Sequence, residues 1–121
     1  MRLAFIYMPV TDVERALAVY RDKLGWEEAW REGESTVALR LPGTDVELMI
    51  DHSDSGYKSG PVLEVESVAA FRDENDGALR ARGEPDEIPG GFFGSFEDPF
   101  GNVLHAVDQS GDPAQQPGAS E

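Results

Sequence analysis

The alternation of apolar and polar residues in the first half of the chain predicts one helix and four strands. A β-prone apolar run over 3–9 predicts a strand, and apolar residues at helical spacing over 13–24 predict a helix that ends at Gly25. Thr11 or Asp12 is expected to cap this helix. Further strands are predicted at 26–32, 35–41 and 45–50, the first two joined by a turn at 33–34. The order of elements is therefore β-α-β-β-β.

The second half of the chain repeats this order less regularly. Residues 61–66 predict a strand, and Ser67 is expected to begin a helix that Asn-Asp-Gly at 75–77 weakens or breaks and that Gly83 ends. The residues expected on the buried face of this helix are Val68, Phe71 and Leu79. Strands are then predicted near 84–88, over 92–97 and over 103–107.

A turn signal near the C-terminus has a weaker copy upstream, which indicates an internal duplication. The sequence Asp-Pro-Phe-Gly-Asn at 98–102 favours a tight turn because proline presets φ and glycine accepts a positive φ. The copy lies at 41–50, and aligning the two turns places Glu47 opposite His105. We therefore expect two copies of one β-α-β-β-β module.

The duplication predicts one domain over residues 1–108. Module one is expected at 1–51 and module two at 60–108, with a polar linker at 52–59. The tail at 109–121 is rich in Gln, Pro, Gly and Ser, so we expect it to be disordered.

Composition and charge narrow the classes of partner. The chain has 24 acidic and 10 basic residues and a net charge of -14, which argues against nucleic acid and anionic membranes as partners. No apolar run is long enough for a transmembrane helix, and the absence of cysteine is compatible with a cytoplasmic protein. An acidic surface favours solubility, and it also attracts a cationic ligand.

Three motifs carry a resemblance to a known family: Val-Thr-Asp-Val-Glu-Arg-Ala-Leu at 10–17, Tyr-Arg-Asp-Lys-Leu-Gly at 20–25, and the turn at 98–102. Together with the duplication they resemble the vicinal oxygen chelate superfamily of glyoxalases, bleomycin-resistance proteins and extradiol dioxygenases. The resemblance implies an α+β fold, in which two βαβββ modules form curved mixed sheets around a concave cavity, with the helices on the convex side. The fold alone does not select a reaction, because it supports many chemistries.

The resemblance also implies where a metal would bind. Metal-dependent members place ligands on the first and last strands of each module, which correspond here to Phe5, Glu47, Gly60 or Pro61, and His105. Only Glu47 and His105 have side chains that can ligate a metal, whereas a catalytic zinc takes three protein ligands. We therefore expect no cofactor. The alternative is a divalent metal at Glu47 and His105, with Asp51 and His52 near enough in sequence to assist.

Strand alternation extends this set to a predicted cavity lining. The predicted ligand-binding residues are Phe5, Tyr7, Trp30, Glu47, Met49, Glu64, Val103 and His105. The intervening residues of the same strands are expected to pack against the helices, although a slip of one residue in the strand at 61–66 would reverse its two faces. Aromatic rings beside carboxylates favour a cation. Glu47 and His105 are also the candidates for general acid–base catalysis.

These expectations favour a small-molecule-binding protein that binds or sequesters a cationic or aromatic ligand without a metal. The alternatives are a lyase, isomerase or dioxygenase-like enzyme that uses a divalent metal or an acid–base pair at Glu47 and His105, and a regulatory domain with a vestigial cavity. The resemblance further implies a homodimer. Phe92, Phe93 and Phe96 have no core assignment from the pattern, so they are candidates for the dimer interface or for a rim over the pocket.

Overall fold

A computed structural model describes residues 1–53 and 56–110. The elements of the first half are β1 (Arg2–Pro9), α1 (Val13–Leu17) with a π-helical continuation (Ala18–Lys23), β2 (Glu28–Glu32), β3 (Thr36–Arg40) and β4 (Glu47–Asp51). Those of the second half are β5 (Gly60–Glu64), α2 (Val68–Glu74), β6 (Arg80–Ala81), β7 (Asp86–Ile88), β8 (Gly91–Glu97) and β9 (Val103–Val107). The predicted α+β fold is confirmed.

The chain divides into two compact units, of which the first covers Ala4–Pro61. Its strands follow the order β2-β3-β4-β1, in which β1 and β4 are parallel and the other pairs are antiparallel. The helical segment packs on one face of this sheet. The core of that face consists of Val13, Leu17, Val37, Leu39, Leu48 and Ile50, with Ile6, Met8 and Val10 packed against it. Strand alternation predicts five of these residues on this side, namely Ile6, Met8, Val10, Leu48 and Ile50.

The first helix begins and ends where the sequence predicts, but its second half is not α-helical. Asp12, one of the two predicted caps, is the N-cap, and its carboxylate accepts a hydrogen bond from the backbone N–H of Arg15 at 3.1 Å. From Ala18 onward the helix is π-helical, and the N–H of Leu24 bonds the carbonyl of Val19, five residues back. A π turn contains more residues than an α turn, so it shifts the phase of the helix. Leu24, expected on the buried face, is therefore exposed.

Among the described residues, the second unit consists of Met1–Leu3 and residues 62–110. Its strands β5 and β9 are parallel, β8 pairs antiparallel with β9, and β6 and β7 both pair with β8. Helix α2 packs on one face, where the core residues are Val68, Phe71, Phe96 and Ala106, with Leu63, Val65, Leu79, Ala81 and Leu104 around them. Leu63 and Val65 thus face the helix, as the preferred register of β5 predicts.

Helix α2 begins where the sequence predicts and ends earlier. The hydroxyl of Ser67, the N-cap, accepts a hydrogen bond from the N–H of Ala70 at 3.1 Å. The helix stops at Glu74, and Gly77 has a φ of 92°, so the Asn-Asp-Gly segment breaks it. The expectation that Gly83 ends the helix is wrong, because the short strand β6 already lies before it.

The three phenylalanines of β8, at 92, 93 and 96, differ in how far they are buried. Phe96 is a core residue at 2% exposure, and Phe93 is also buried, whereas Phe92 is partly exposed. Of the predicted disordered tail, Gln109 and Ser110 are described, and the N–H and hydroxyl of Ser110 both donate to the Asp108 carboxylate. The rest of that prediction, at 111–121, lies outside the described residues, as do residues 54–55 of the predicted linker.

Within the described part of the chain, the two helices are too short or too polar to span a membrane.

Candidate functional site

The candidate site is built on the face of the first unit's sheet that is opposite the helix, which we call the helix-free face. The ladder places Phe5 opposite Glu47, and Tyr7 and Ala38 both opposite Met49. These residues alternate with the core residues of the same strands, so their side chains point away from the helix. The helix-free face carries Phe5, Tyr7, Trp30, Glu32, Thr36, Ala38, Arg40, Glu47, Met49 and Asp51. All five residues that the sequence predicts for module one are in this set.

Three of these side chains are in direct contact. The indole Nε1–H of Trp30 donates to Oε1 of Glu47 at 2.8 Å, and the rings of Phe5 and Trp30 meet edge to face, with centroids 6.1 Å apart at 87°. Among the described residues, Oε2 of Glu47 has no hydrogen-bond partner. The site therefore presents an oriented carboxylate with a vacant acceptor oxygen beside two aromatic rings.

An irregularity in β2 places Trp30 on this face while Glu28 faces the helix. Glu28 lies opposite Leu39 and Trp30 lies opposite Ala38, so Ala29 is an extra residue, which makes a β-bulge. In a regular strand, residues three apart point to opposite faces. Here Arg31 reaches Glu28 with two hydrogen bonds, at 2.9 and 3.1 Å. The bulge thus keeps this ion pair off the candidate site.

The ion pairs on the helix side account for the pKa shifts in this unit. Hydrogen bonding from Arg31, followed by its charge and by Arg21, lowers the pKa of Glu28. The hydrogen bond to Glu28 raises the pKa of Arg31, and the hydrogen bond to Asp22, followed by the one to Glu28, raises the pKa of Arg21. Arg40 lies opposite Glu47 in the ladder, but its guanidinium is 3.8 Å from the carboxylate of Glu27 instead. None of these arginines forms an ion pair with Glu47 in the described part of the chain.

A second polar group occupies the other end of the helix-free face. The hydroxyl of Tyr7 donates to Oδ2 of Asp51 at 2.5 Å, and the hydroxyl of Thr36 donates to Oδ1 at 2.6 Å. The ring of Tyr7 meets that of Tyr57 edge to face at 5.9 Å and 90°. The sequence predicts Asp51 only as an auxiliary metal ligand and predicts no part for Thr36 or Tyr57. Thr36 could have been found from the hairpin register, because it lies opposite Asp51.

In the second unit, the predicted site residues lie on the face opposite α2, but His105 is completely buried. Its Nδ1 lies 2.6 Å from the hydroxyl of Ser95, and its ring stacks on Phe93 with centroids 5.2 Å apart. Glu64 is exposed and Val103 is half-buried. The sequence does not predict Ser95 as a partner of His105, although Ser95 lies opposite His105 in the ladder. In this arrangement one ring nitrogen of His105 is already engaged.

Two further aspartates, Asp108 and Asp98, accept backbone hydrogen bonds that hold segments of the second unit in place, and neither belongs to the candidate site. The Asp108 carboxylate accepts hydrogen bonds from the backbone N–H groups of Val68 at 2.6 Å and Phe92 at 3.0 Å, and so joins α2 to β8. Asp98 accepts from Asn102 and Phe100, and these hydrogen bonds, that of the Asn102 backbone first, lower its pKa. The turn signal on which the duplication rests is therefore structural.

The residues at the family's metal positions do not fit a divalent metal. The partner of Glu47 on the first strand is Phe5, and the partner of His105 is Val62, not Gly60 or Pro61 as expected. Neither phenylalanine nor valine can ligate. His52, considered as an auxiliary ligand, places its Nδ1 3.0 Å from the carbonyl of Val10. No three acidic or histidine side chains of the described residues converge on one point.

Comparison with known proteins gives a family and a fold. The family model described as the Glyoxalase/Bleomycin resistance protein/Dioxygenase superfamily matches residues 2–106. No curated protein is significantly similar in sequence. Among solved structures, a member of that superfamily from Vibrio splendidus is 15% identical with a TM-score of 0.61, covering 88% of this chain and 97% of its own.

Two other solved structures share the fold at low identity. An NAD-dependent benzaldehyde dehydrogenase from Legionella pneumophila is 12% identical with a TM-score of 0.70, covering 86% of this chain and 96% of its own. A methylmalonyl-CoA epimerase from Mycobacterium tuberculosis is 18% identical with a TM-score of 0.56, covering 88% and 87%. At these identities the likeness concerns the fold and not the activity.

Proposed function

Because the chain belongs to the glyoxalase/bleomycin resistance protein/dioxygenase superfamily, we propose that it binds a small organic cation, without a divalent metal, on the helix-free face of its first unit. The observation that carries this proposal is the carboxylate of Glu47. Trp30 fixes one of its oxygens at 2.8 Å, and the other has no partner among the described residues. A ligand N–H or quaternary ammonium group beside that oxygen would complete the arrangement.

The neighbouring rings favour an organic cation over a metal ion. Trp30 and Phe5 offer aromatic surface next to the carboxylate, and a cation over an aromatic face gains about 0.5–2 kcal/mol. A charge-assisted hydrogen bond to a carboxylate contributes about 1.5–3 kcal/mol. A small divalent metal would use only the carboxylate and gain nothing from the rings. The net charge of -14 adds long-range attraction for any cation.

The other predicted ligand-binding residues take different parts in this proposal. Met49, which is half-buried, extends the apolar surface along the same face, whereas Tyr7 is buried at 3% exposure and remains a prediction as a ligand contact. Glu64, Val103 and His105 lie in the second unit and remain predictions as ligand contacts. For His105, complete burial and the Ser95 hydrogen bond favour a structural part. The acid–base enzyme, which depends on His105, therefore has no observation in its favour beyond family membership.

Binding of benzyltrimethylammonium, measured by calorimetry and by tryptophan fluorescence, tests the proposed function. We expect the wild type to bind this cation and to bind its neutral isostere, neopentylbenzene, at least about tenfold more weakly, since each 1.4 kcal/mol is a factor of ten. Glu47→Gln should remove the preference for the cation. The matched control is Glu34→Gln, in the exposed turn of the β2–β3 hairpin, which should change nothing.

Two results would contradict the proposal. One is equal affinity of the folded wild type for the cation and its neutral isostere. The other is near-stoichiometric metal retained after dialysis against Ni²⁺, Zn²⁺, Mn²⁺ and Fe²⁺ and lost in both Glu47→Ala and His105→Ala, which would favour a metal-dependent enzyme. The homodimer implied by the resemblance stays a prediction, and sedimentation at micromolar concentration tests it.

A further inference from the structure

An arginine lies directly beside the Glu47 carboxylate on the helix-free face. The β3–β4 ladder places Arg40 opposite Glu47, and the Cβ atoms of residues opposite each other in an antiparallel pair lie about 4.5–5.5 Å apart. Opposite charges at such positions attract each other and commonly pair. In the described part of the chain these two do not, because Trp30 donates to one oxygen of Glu47 and the Arg40 guanidinium lies toward Glu27. A carboxylate and a guanidinium therefore stand side by side without neutralising each other.

The contacts of the Arg40 guanidinium are weak and use a single nitrogen. Nη1 lies 3.8 Å from the carboxylate of Glu27 and donates to the backbone carbonyl of Glu28 at 3.4 Å. The side chains of Arg40 and Glu27 are 57% and 82% exposed, and an ion pair this exposed contributes little to stability. Nε and Nη2 have no hydrogen-bond partner among the described residues. Arg40 can therefore turn to a ligand at little cost, and one edge of its planar fork is open already.

We propose that the ligand of this site is a zwitterion of the α-amino acid class, with its ammonium group at Oε2 of Glu47 and its carboxylate on the Nε–Nη2 edge of Arg40. The inference rests on the proposed function and adds a carboxylate to the small organic cation. A guanidinium edge matches a carboxylate with two parallel hydrogen bonds. The two charges of an α-amino acid are neighbours, as the two protein charges are. The rings of Phe5 and Trp30 beside them favour an apolar or aromatic side chain on the ligand.

Calorimetry with three related compounds tests this inference in the wild type. L-Phenylalanine carries both charges, 2-phenylethylamine lacks the carboxylate, and 3-phenylpropanoate lacks the ammonium group. We expect L-phenylalanine to bind at least about tenfold more tightly than 2-phenylethylamine, because a hydrogen bond between charged groups strengthens binding by about that factor or more. 3-Phenylpropanoate should bind most weakly, since a chain with a net charge of -14 repels an anion.

Replacing Arg40 by methionine keeps an apolar stem and removes the charge. Arg40→Met should weaken the binding of L-phenylalanine. It should leave 2-phenylethylamine bound at least as tightly as in the wild type, because a positive charge beside the ammonium site is gone. The preference for the zwitterion is then lost. The matched control is Arg15→Met, at an exposed position of α1, which removes the same charge away from the helix-free face and should keep the wild-type order.

The outcomes separate this inference from the proposed function on which it rests. If benzyltrimethylammonium and 2-phenylethylamine bind and L-phenylalanine binds no better, the carboxylate subsite is overturned while the cation site stands. An equal loss of the preference in Arg40→Met and Arg15→Met would also overturn it, because overall charge would then explain the preference. If no cationic compound binds the folded protein, the proposed function fails and this inference fails with it. The wild-type comparison decides the matter even if Arg40→Met does not fold.

Discussion

Asp108 shows how one buried carboxylate can hold several segments in register. At 1% exposure it accepts hydrogen bonds from Val68 N–H, Phe92 N–H and both donors of Ser110. The space around it is filled, because a Cβ on Gly91 would lie 2.0 Å from the Asp108 carbonyl oxygen. A smaller side chain at 108 would leave the N–H groups at the starts of α2 and β8 without an acceptor.

We therefore expect Asp108→Ala to lower the free energy of unfolding by about 3 kcal/mol, since each buried donor left unpaired costs about 1–3 kcal/mol. Urea denaturation followed by circular dichroism measures this loss. Asp76→Ala is the control, because Asp76 is exposed and should change stability by less than about 0.5 kcal/mol. Equal effects of the two substitutions would show that the Asp108 hydrogen bonds do not stabilise the second unit.

At the scale of elements, the bulge in β2 brings together an ion pair whose contribution to folding stability depends on pH. Glu28 and Arg31 meet on the helix side, and hydrogen bonding from Arg31 lowers the pKa of Glu28 below its ordinary value of 4.5. A carboxylate with a lowered folded-state pKa adds stability above its unfolded pKa, and that contribution is lost as pH falls through the folded value. The stabilisation from this pair is therefore present at neutral pH and absent in acid.

Replacing Arg31 by methionine should raise the pKa of Glu28 toward 4.5 and reduce the acid-induced loss of stability. Carbon-detected NMR titration of the Glu28 carboxyl measures the pKa directly. Arg40→Met is the comparison, because Arg40 approaches Glu27 and only the backbone carbonyl of Glu28. An unchanged Glu28 titration in Arg31→Met would mean that the bulge does not bring the two side chains together.

The elements that the sequence predicts well are those in which local chemistry and hydrophobic pattern agree. Ser67 caps α2, the segment at 75–77 breaks it, and the alternation in β1 and β4 separates core from helix-free residues. The π-helical phase shift that exposes Leu24 was not predicted, because it depends on a change of hydrogen-bond partner and not on residue type. The bulge at Ala29 has no glycine or proline to mark it.

The candidate site is likewise predictable from the sequence only where its residues follow from the alternation within one strand. Phe5, Glu47 and Met49 share a face because strand alternation has a period of two, and the sequence contains that period. The contact of Trp30 with Glu47 also needs the bulge, and the burial of His105 needs Phe93 and Ser95 from a neighbouring strand. Contacts between strands depend on register, which a single sequence specifies only weakly.

At the scale of the whole molecule, the net charge of -14 connects stability to ligand binding. Excess negative charge destabilises the folded state by self-repulsion, and the same charge attracts a cationic ligand. Salt screens both effects, with a Debye length of about 10 Å at 0.1 M and about 3 Å at 1 M. The two consequences have opposite signs, so one change of conditions tests them together.

Raising sodium chloride from 20 mM to 500 mM should therefore increase the melting temperature of the free protein and weaken its binding of benzyltrimethylammonium. Differential scanning calorimetry and titration calorimetry on the same samples measure the two changes. The neutral isostere separates screening from salting-out, because salt that acted only by strengthening apolar burial would tighten the binding of both compounds. A cation affinity that did not fall with salt would contradict a charged site at Glu47, since the attraction between a carboxylate and a cation at a partly exposed site must weaken as the solution screens it.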